Sequence, residues 1–202
     1  FLADSQDQVL WYIDDVLLLG WPAVTAPSFS HAPQPVLTDQ DITFVAAYQS
    51  IDSSLPITFT WDFDDGSPPL VTHSPTVTHQ FPAWDDYAVA LTVLNPFDSA
   101  VFSQTITAFQ PVADTAFALN TPDPSDDWHV SFTSVFTPAS ATLPVTFTWA
   151  FGDGSDPLVT SAPLVSHSYA LTGTYTVWLT TTNGYGDPVS FNRPVSLPLD
   201  DD

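Results

Sequence analysis

The chain has 202 residues, 23 acidic and 1 basic, for a formal charge of −22 at pH 7. That balance excludes nucleic acid and anionic membrane surfaces as partners, because both are held through clustered Lys and Arg. The 44% hydrophobic and 14% aromatic content is too apolar for a disordered acidic chain, and 20 prolines with no Cys or Met point to an all-β protein with many turns and no disulfides.

Every acid is Asp, and Arg193 is the lone basic side chain. No run of about 18 apolar residues occurs, so no membrane span is expected. The start at Phe1 lacks the charged leader of a signal peptide and reads as a processed or fragmentary chain.

The first segment, 1–31, opens on the apolar run VLWYIDDVLL (9–18). A helix is one reading: Ser5 and Gln8 form a capping box, Asp4, Asp7, Asp14 and Asp15 a polar stripe, and Gly20 with Pro22 a stop. A strand is the preferred reading, with Val9, Trp11 and Ile13 on one side and a content rich in aromatic and β-branched residues. The string WYIDDVLL resembles the closing strand of jelly-roll domains in secreted bacterial proteins, some of which hold structural calcium near such an acidic pair. A single strand cannot satisfy its own edges. Val9, Leu10, Trp11, Tyr12, Ile13, Val16, Leu17 and Leu18 are therefore the candidate assembly strand, pairing with a preceding domain or with a neighbouring copy. Head-to-tail pairing that does not close gives filaments. WPAVTAPSFSHAPQP (21–35) reads as a Pro-rich tether.

Two copies of one unit follow. LPITFTWDFDDGS (55–67) recurs as LPVTFTWAFGDGS (143–155), His79-Gln80-Phe81 as His167-Ser168-Tyr169, and Asn95 as Asn183. The spacing is 88 residues throughout, as from Trp61 to Trp149. The expected bounds are 32–112 and 119–199, with a linker at 113–118 and an acidic tail at 200–202. Ile57, Phe59, Trp61 and Phe63 alternate with polar residues, as do Tyr87, Val89, Leu91 and Val93, and the second copy repeats both patterns. Alternation of this kind marks half-buried strands, and Asp65-Gly66 and Asp153-Gly154 mark turns. An antiparallel β-sandwich per copy is the economical solution.

The sequence W-x-F-G-D-G-S, then H-x-Y, then G-x-Y-x-V-x-L-x-x-x-N resembles the PKD (polycystic kidney disease) domain. The second copy carries it whole, through Trp149, Asp153, Gly154, His167, Gly173, Tyr175 and Asn183. The first carries Trp61, Gly66, His79 and Tyr87 but has Asp64 and Asp85 at two glycine positions, and Asp tolerates left-handed backbone better than most residues. The resemblance implies two tandem immunoglobulin-like sandwiches. Such units are usually extracellular spacers or adhesion modules and are not catalytic by themselves.

Asp62, Asp64 and Asp65 flank one turn and are the leading calcium candidates, since hard cations take clustered carboxylates. Turn capping is the preferred explanation, because the spacing is not that of an EF-hand loop. Asp85-Asp86, Asp126-Asp127, Asp14-Asp15 and Asp200 to Asp202 are weaker candidates. His79 and His167 lack a second ligand at metal spacing and read as hydrogen-bonding residues. No cofactor is required. No G-x-S-x-G, H-E-x-x-H or P-loop occurs, so no enzyme is expected. Trp11, Trp21, Trp84, Trp128 and Trp178 are not assigned to the core, and a sugar-binding role needs an exposed aromatic row on one sheet face.

The expectation is a secreted or cell-surface structural or adhesion protein that self-associates into a fibre or surface layer through residues 9–18, helped by divalent cations, acid or salt. Other surface proteins or polysaccharide are further candidate partners. The alternative is a spacer or a carbohydrate- or protein-binding module of a larger secreted hydrolase.

Overall fold

A computed structural model describes residues 23–50, 55–120 and 129–197. The candidate assembly strand at 9–18 lies outside these residues. So do Trp11, Trp21 and Trp128, the pairs Asp14-Asp15 and Asp126-Asp127, and the tail 200–202.

Every regular element among the described residues is a strand. The first unit runs β1 (Val24–Ala32), β2 (Val36–Leu37), β3 (Ile42–Ser50), β4 (Thr58–Asp62), β5 (Leu70–Thr72), β6 (Thr76–His79), β7 (Asp85–Leu94) and β8 (Ser99–Phe109). The second runs β9 (Asp114–Asn120), β10 (His129–Thr137), β11 (Thr146–Ala150), β12 (Leu158–Thr160), β13 (Leu164–Ser168), β14 (Gly173–Thr182) and β15 (Val189–Leu197). Sheets β1-β3-β6 and β2-β8-β7-β4-β5 build the first sandwich, and β9-β10-β13 and β12-β11-β14-β15 the second. Pairing is antiparallel except for β2, which runs parallel to β8.

The alternation decides which side is buried. Phe59, Trp61 and Phe63 face inward from β4 and its end, and meet Tyr87, Val89, Leu91 and Val93 of β7 in one core. Phe147, Trp149 and Phe151 meet Val177 and Leu179 of β14 in the other. Each core closes on itself, as expected of units that each bury their own apolar faces.

The structure corrects the unit boundaries. Residues 24–32, expected as tether, are strand β1, paired with β3 from Val24↔Ser50 to Ala32↔Thr43. Val24 and Phe29 lie in the first core. Residues 114–120, which take in 114–118 of the expected linker, are strand β9, paired with β10, and Phe117 lies in the second core. Pro27 sits where the β1 register shifts between Thr25 and Ser28, on an edge strand, one of the few sheet positions that tolerate proline. The 88-residue spacing thus extends back to Val24/Val112 and Phe29/Phe117. Phe29 meets Trp61 at 5.4 Å and 60°, and Phe117 meets Trp149 at 5.3 Å and 60°.

The register breaks once, in the last hairpin. Leu91 pairs with Phe102, but Leu179 pairs with Phe191. The chain from Leu179 to Phe191 is therefore one residue longer than the equivalent stretch from Leu91 to Phe102.

Candidate functional site

Each repeated motif stretch folds into one compact cluster at the end of β4 or β11. In the first unit the turn after Trp61 uses Asp64 at φ 58° and Gly66 at φ 83°. In the second, Gly152 and Gly154 take φ 81° and 86°. Gly152 has a reason beyond its φ: a Cβ there would lie 2.4 Å from the Thr176 carbonyl oxygen. Asp64, its counterpart, solves the same approach differently, and its Oδ2 accepts from the Ala88 amide at 3.1 Å. Asp85, at the other glycine position, is not among the positive-φ residues, so left-handed backbone explains only one of the two exchanges.

The turn carboxylate gathers three donors. Ser67 N and Oγ donate to Asp65 Oδ1 at 3.0 and 2.5 Å, and His79 Nε2 donates to Oδ2 at 2.8 Å. Asp153 receives the same set from Ser155, at 3.1 and 2.6 Å, and from His167 at 2.7 Å. Burial raises the pKa of both carboxyls, but the Ser and His hydrogen bonds outweigh it. Asp65 ends below its ordinary value, and Asp153 is held at about 2.

The His rings lie flat on the next aromatic, His79 on Phe63 at 3.7 Å and His167 on Phe151 at 3.9 Å. Their edges meet Phe81 and Tyr169, which stack in turn on Tyr87 and Tyr175, both at 4.4 Å. Tyr87 and Tyr175 donate their hydroxyls back to the carbonyls of Ala83 and Leu171 at 2.8 Å, the tyrosine-corner arrangement of immunoglobulin-like sandwiches. Burial pushes the Tyr169 hydroxyl up, helped by Asp153 and Tyr175. It therefore stays protonated and donates to the Phe151 carbonyl at 3.2 Å. The motif residues Trp61, Gly66, His79 and Tyr87, like Trp149, Asp153, Gly154, His167 and Tyr175, are thus brought together as a turn clamp and an aromatic column.

This cluster is not a hydrolytic relay. A serine nucleophile needs its hydroxyl on the imidazole and the carboxylate behind it. Here Ser67 and Ser155 donate directly to the carboxylate, so neither hydroxyl is hydrogen-bonded to the imidazole. The calcium candidates do not converge either. Asp62 Oδ1 accepts from the Asp64 amide at 3.0 Å, and Asp64 and Asp65 are committed as described above. Among the described residues no group of three acidic or His side chains is placed to hold a metal ion.

The junction between the sandwiches carries contacts that the sequence reading missed. Gln110 N donates to Thr142 Oγ1 at 2.8 Å, and Thr142 N donates back to the Gln110 carbonyl at 2.9 Å. Asn183 Nδ2 donates to the carbonyls of Gln110 and Thr142 at 2.8 and 2.9 Å. Phe109, the last residue of β8, stacks on Tyr185 at 4.0 Å and 9°. Asn183 was visible as a motif residue, whereas Gln110, Thr142 and Tyr185 have no local pattern that marks them.

The surface repeats as well. Edge strands β5 and β12 expose Val71 and Val159 at equivalent positions. Grooves of about 440 and 360 Å³ lie at equivalent positions, at Tyr48, Leu55 and Phe59 and at Phe136, Leu143 and Phe147; the second is apolar, whereas the first is half polar and includes His73. Trp84 and Trp178 are 53% and 48% exposed, and they do not occupy equivalent positions in the two units.

Two immunoglobulin-like sandwiches in tandem, each pinned by an Asp–His turn clamp, define a class of modular β-protein. Family profiles described as PKD domain match residues 26–108 and again residues 108–195. The chain belongs to the PKD domain family, as two tandem units. Over 151 residues, 66% of the chain, it is 30% identical to Polycystin-1 of Homo sapiens, and it spans 4% of that protein's length. The solved N-terminal eight Ig domains of Down Syndrome Cell Adhesion Molecule align with 89% of the chain at a TM-score of 0.58 and 16% identity. The chain covers 25% of that structure, and the likeness is one of fold. PKD and immunoglobulin-like domains are typical of extracellular adhesion or surface proteins and are generally non-catalytic binding or structural modules. No helix among the described residues is long and apolar enough to cross a membrane.

Proposed function

We propose that this chain is a non-catalytic extracellular structural or adhesion subunit that associates with further copies of itself, residues 9–18 adding as a strand to a neighbouring subunit. The observation that carries the structural role is the junction. Residues 110–113 alone separate β8 from β9, and Gln110 is tied to the second sandwich by Thr142 and Asn183. A joint held in this way suits a load-bearing or spacing element better than a flexible tether.

Two further features support the assembly step. The run VLWYIDDVLL is apolar in a chain of charge −22. Strands β5 and β12 end their sheets and are only 3 residues long, so each offers a short backbone edge for strand addition. Close packing of such acidic subunits is opposed by repulsion, which calcium, acid or salt relieves. Calcium enters here as a screening ion.

Sedimentation velocity of the full chain and of a chain lacking residues 1–22, each in calcium and in chelator, tests this reading. The deletion stops before Val24, because Val24 and Phe29 are core. Concentration-dependent growth of the full chain alone supports assembly through the opening segment. Equal monomers, or equal growth with and without it, refute that role.

A further inference from the structure

We propose that Asn183-Gly184 is a deamidation site held in check by the junction, and that its conversion to aspartate or isoaspartate irreversibly unlocks Gln110 from the second sandwich. One group serves two ends here. Asn183 Nδ2 is the donor to both the Gln110 and the Thr142 carbonyls, at 2.8 and 2.9 Å. The same nitrogen is the leaving group when an asparagine closes to a succinimide.

The residue that follows favours this closure. Gly184 has no side chain to crowd its nitrogen, takes φ 80° and is exposed. No heavy atom lies within 4 Å of where a Cβ on it would sit. Of the four asparagines in the chain, Asn183 alone precedes a glycine. Its counterpart Asn95 precedes Pro96, whose nitrogen has no proton to lose. Asn120 and Asn192 precede Thr121 and Arg193, whose side chains crowd the attacking nitrogen. The first unit builds its core without an Asn-Gly pair, so the pair is not a requirement of the sandwich.

The step needs water alone. The Gly184 nitrogen gives its proton to solvent base and attacks Asn183 Cγ. The Cγ–Nδ2 bond breaks, ammonia leaves, and the succinimide ring closes. Water then opens either ring carbonyl, leaving aspartate or isoaspartate. The closed joint restrains both reacting groups. Nδ2 is held by its two carbonyls, the Gly184 amide donates to Thr182 Oγ1 at 3.1 Å, and the Tyr185 amide donates to Asn183 Oδ1 at 3.3 Å. Local opening of the joint frees the side chain to react. Afterwards a carboxylate stands in place of the amide. It has no N–H for the Gln110 and Thr142 carbonyls, and all three groups are acceptors. The joint cannot re-form, so the modification records its opening. The inference holds whether or not residues 9–18 assemble.

The test is incubation of the full chain in mildly alkaline buffer, native and in urea. Peptide mass spectrometry follows the amide-to-acid mass gain, and an isoaspartate methyltransferase labels the isomer. The proposal expects conversion at Asn183 and not at Asn95, Asn120 or Asn192, slower in the native chain than in urea by about tenfold or more. Tyr185→Ala removes the ring that stacks on Phe109 at 4.0 Å. It should quicken native conversion and leave the rate in urea unchanged. The converted chain and Asn183→Asp should share a rise of about tenfold or more in hydrogen exchange at the Gln110 and Thr142 amides. An Asn183 that stays intact in the native chain while the chain in urea converts fully would overturn the proposal. So would equal native rates for wild type and Tyr185→Ala, or unchanged exchange at those two amides after conversion.

Discussion

Asn183 donates through one nitrogen to two carbonyls, those of Gln110 and Thr142, and so fastens the junction residue to the second sandwich. Asn183 is itself buried, which makes the loss of its amide costly. Asn183→Ala should destabilise the second unit by roughly 1–3 kcal/mol, the range for stranding buried partners. It should also raise hydrogen exchange at the Gln110 and Thr142 amides. Thermal denaturation with residue-resolved exchange checks both, and unchanged exchange at those amides would remove the junction role.

Phe29 and Phe117 separate core from tether. Each is nearly fully buried, at 8% and 4% exposure, against a tryptophan. Phe29→Ala and Phe117→Ala should each cost about 3–5 kcal/mol by urea unfolding, as for other buried Phe truncations. Segments that merely tethered or linked units would lose almost nothing.

Asp153 makes the fold acid-sensitive in a defined window. Its carboxyl is held at about 2, against 3.8 ordinarily. A depressed folded-state value stabilises the ionised form, so the contribution is complete above 3.8 and disappears as pH falls through 2. The chain should lose stability over that interval. Asp153→Asn should be less stable at neutral pH and flatter across the same interval, as followed by melting temperature against pH. A parallel slope in both proteins would contradict the assignment.

Gly152 and Asp64 occupy the same position with different solutions. A Cβ on Gly152 meets the Thr176 carbonyl oxygen at 2.4 Å, while Asp64 carries its own bond to the Ala88 amide. Gly152→Ala should therefore destabilise by more than about 1 kcal/mol, from close contact and positive φ together. Chemical denaturation of this variant measures the effect directly.

What was legible in the sequence followed from period and repetition. Alternation at Ile57 to Phe63 and Tyr87 to Val93 marked the inward faces. The doubled W-x-F-x-D-G-S stretch marked the turn that gathers Ser67 and His79 on Asp65. The boundaries were misread because β1 and β9 carry sparse alternation interrupted by Pro27 or flanked by Asp and Pro, which looks like linker. Their signal was long-range: Val24 and Phe29 repeat as Val112 and Phe117 at the same spacing as the motif. The junction was illegible for a different reason, since Gln110, Thr142 and Asn183 meet only through tertiary packing.

The central claim is a structural subunit that assembles through its opening segment. Negative-stain electron microscopy of the full chain and of the chain lacking residues 1–22, in calcium and in chelator, tests it most directly. The account predicts elongated assemblies of the full chain, favoured by calcium and absent from the truncated one. Discrete monomers of both under all conditions, or identical assemblies of both, would contradict it.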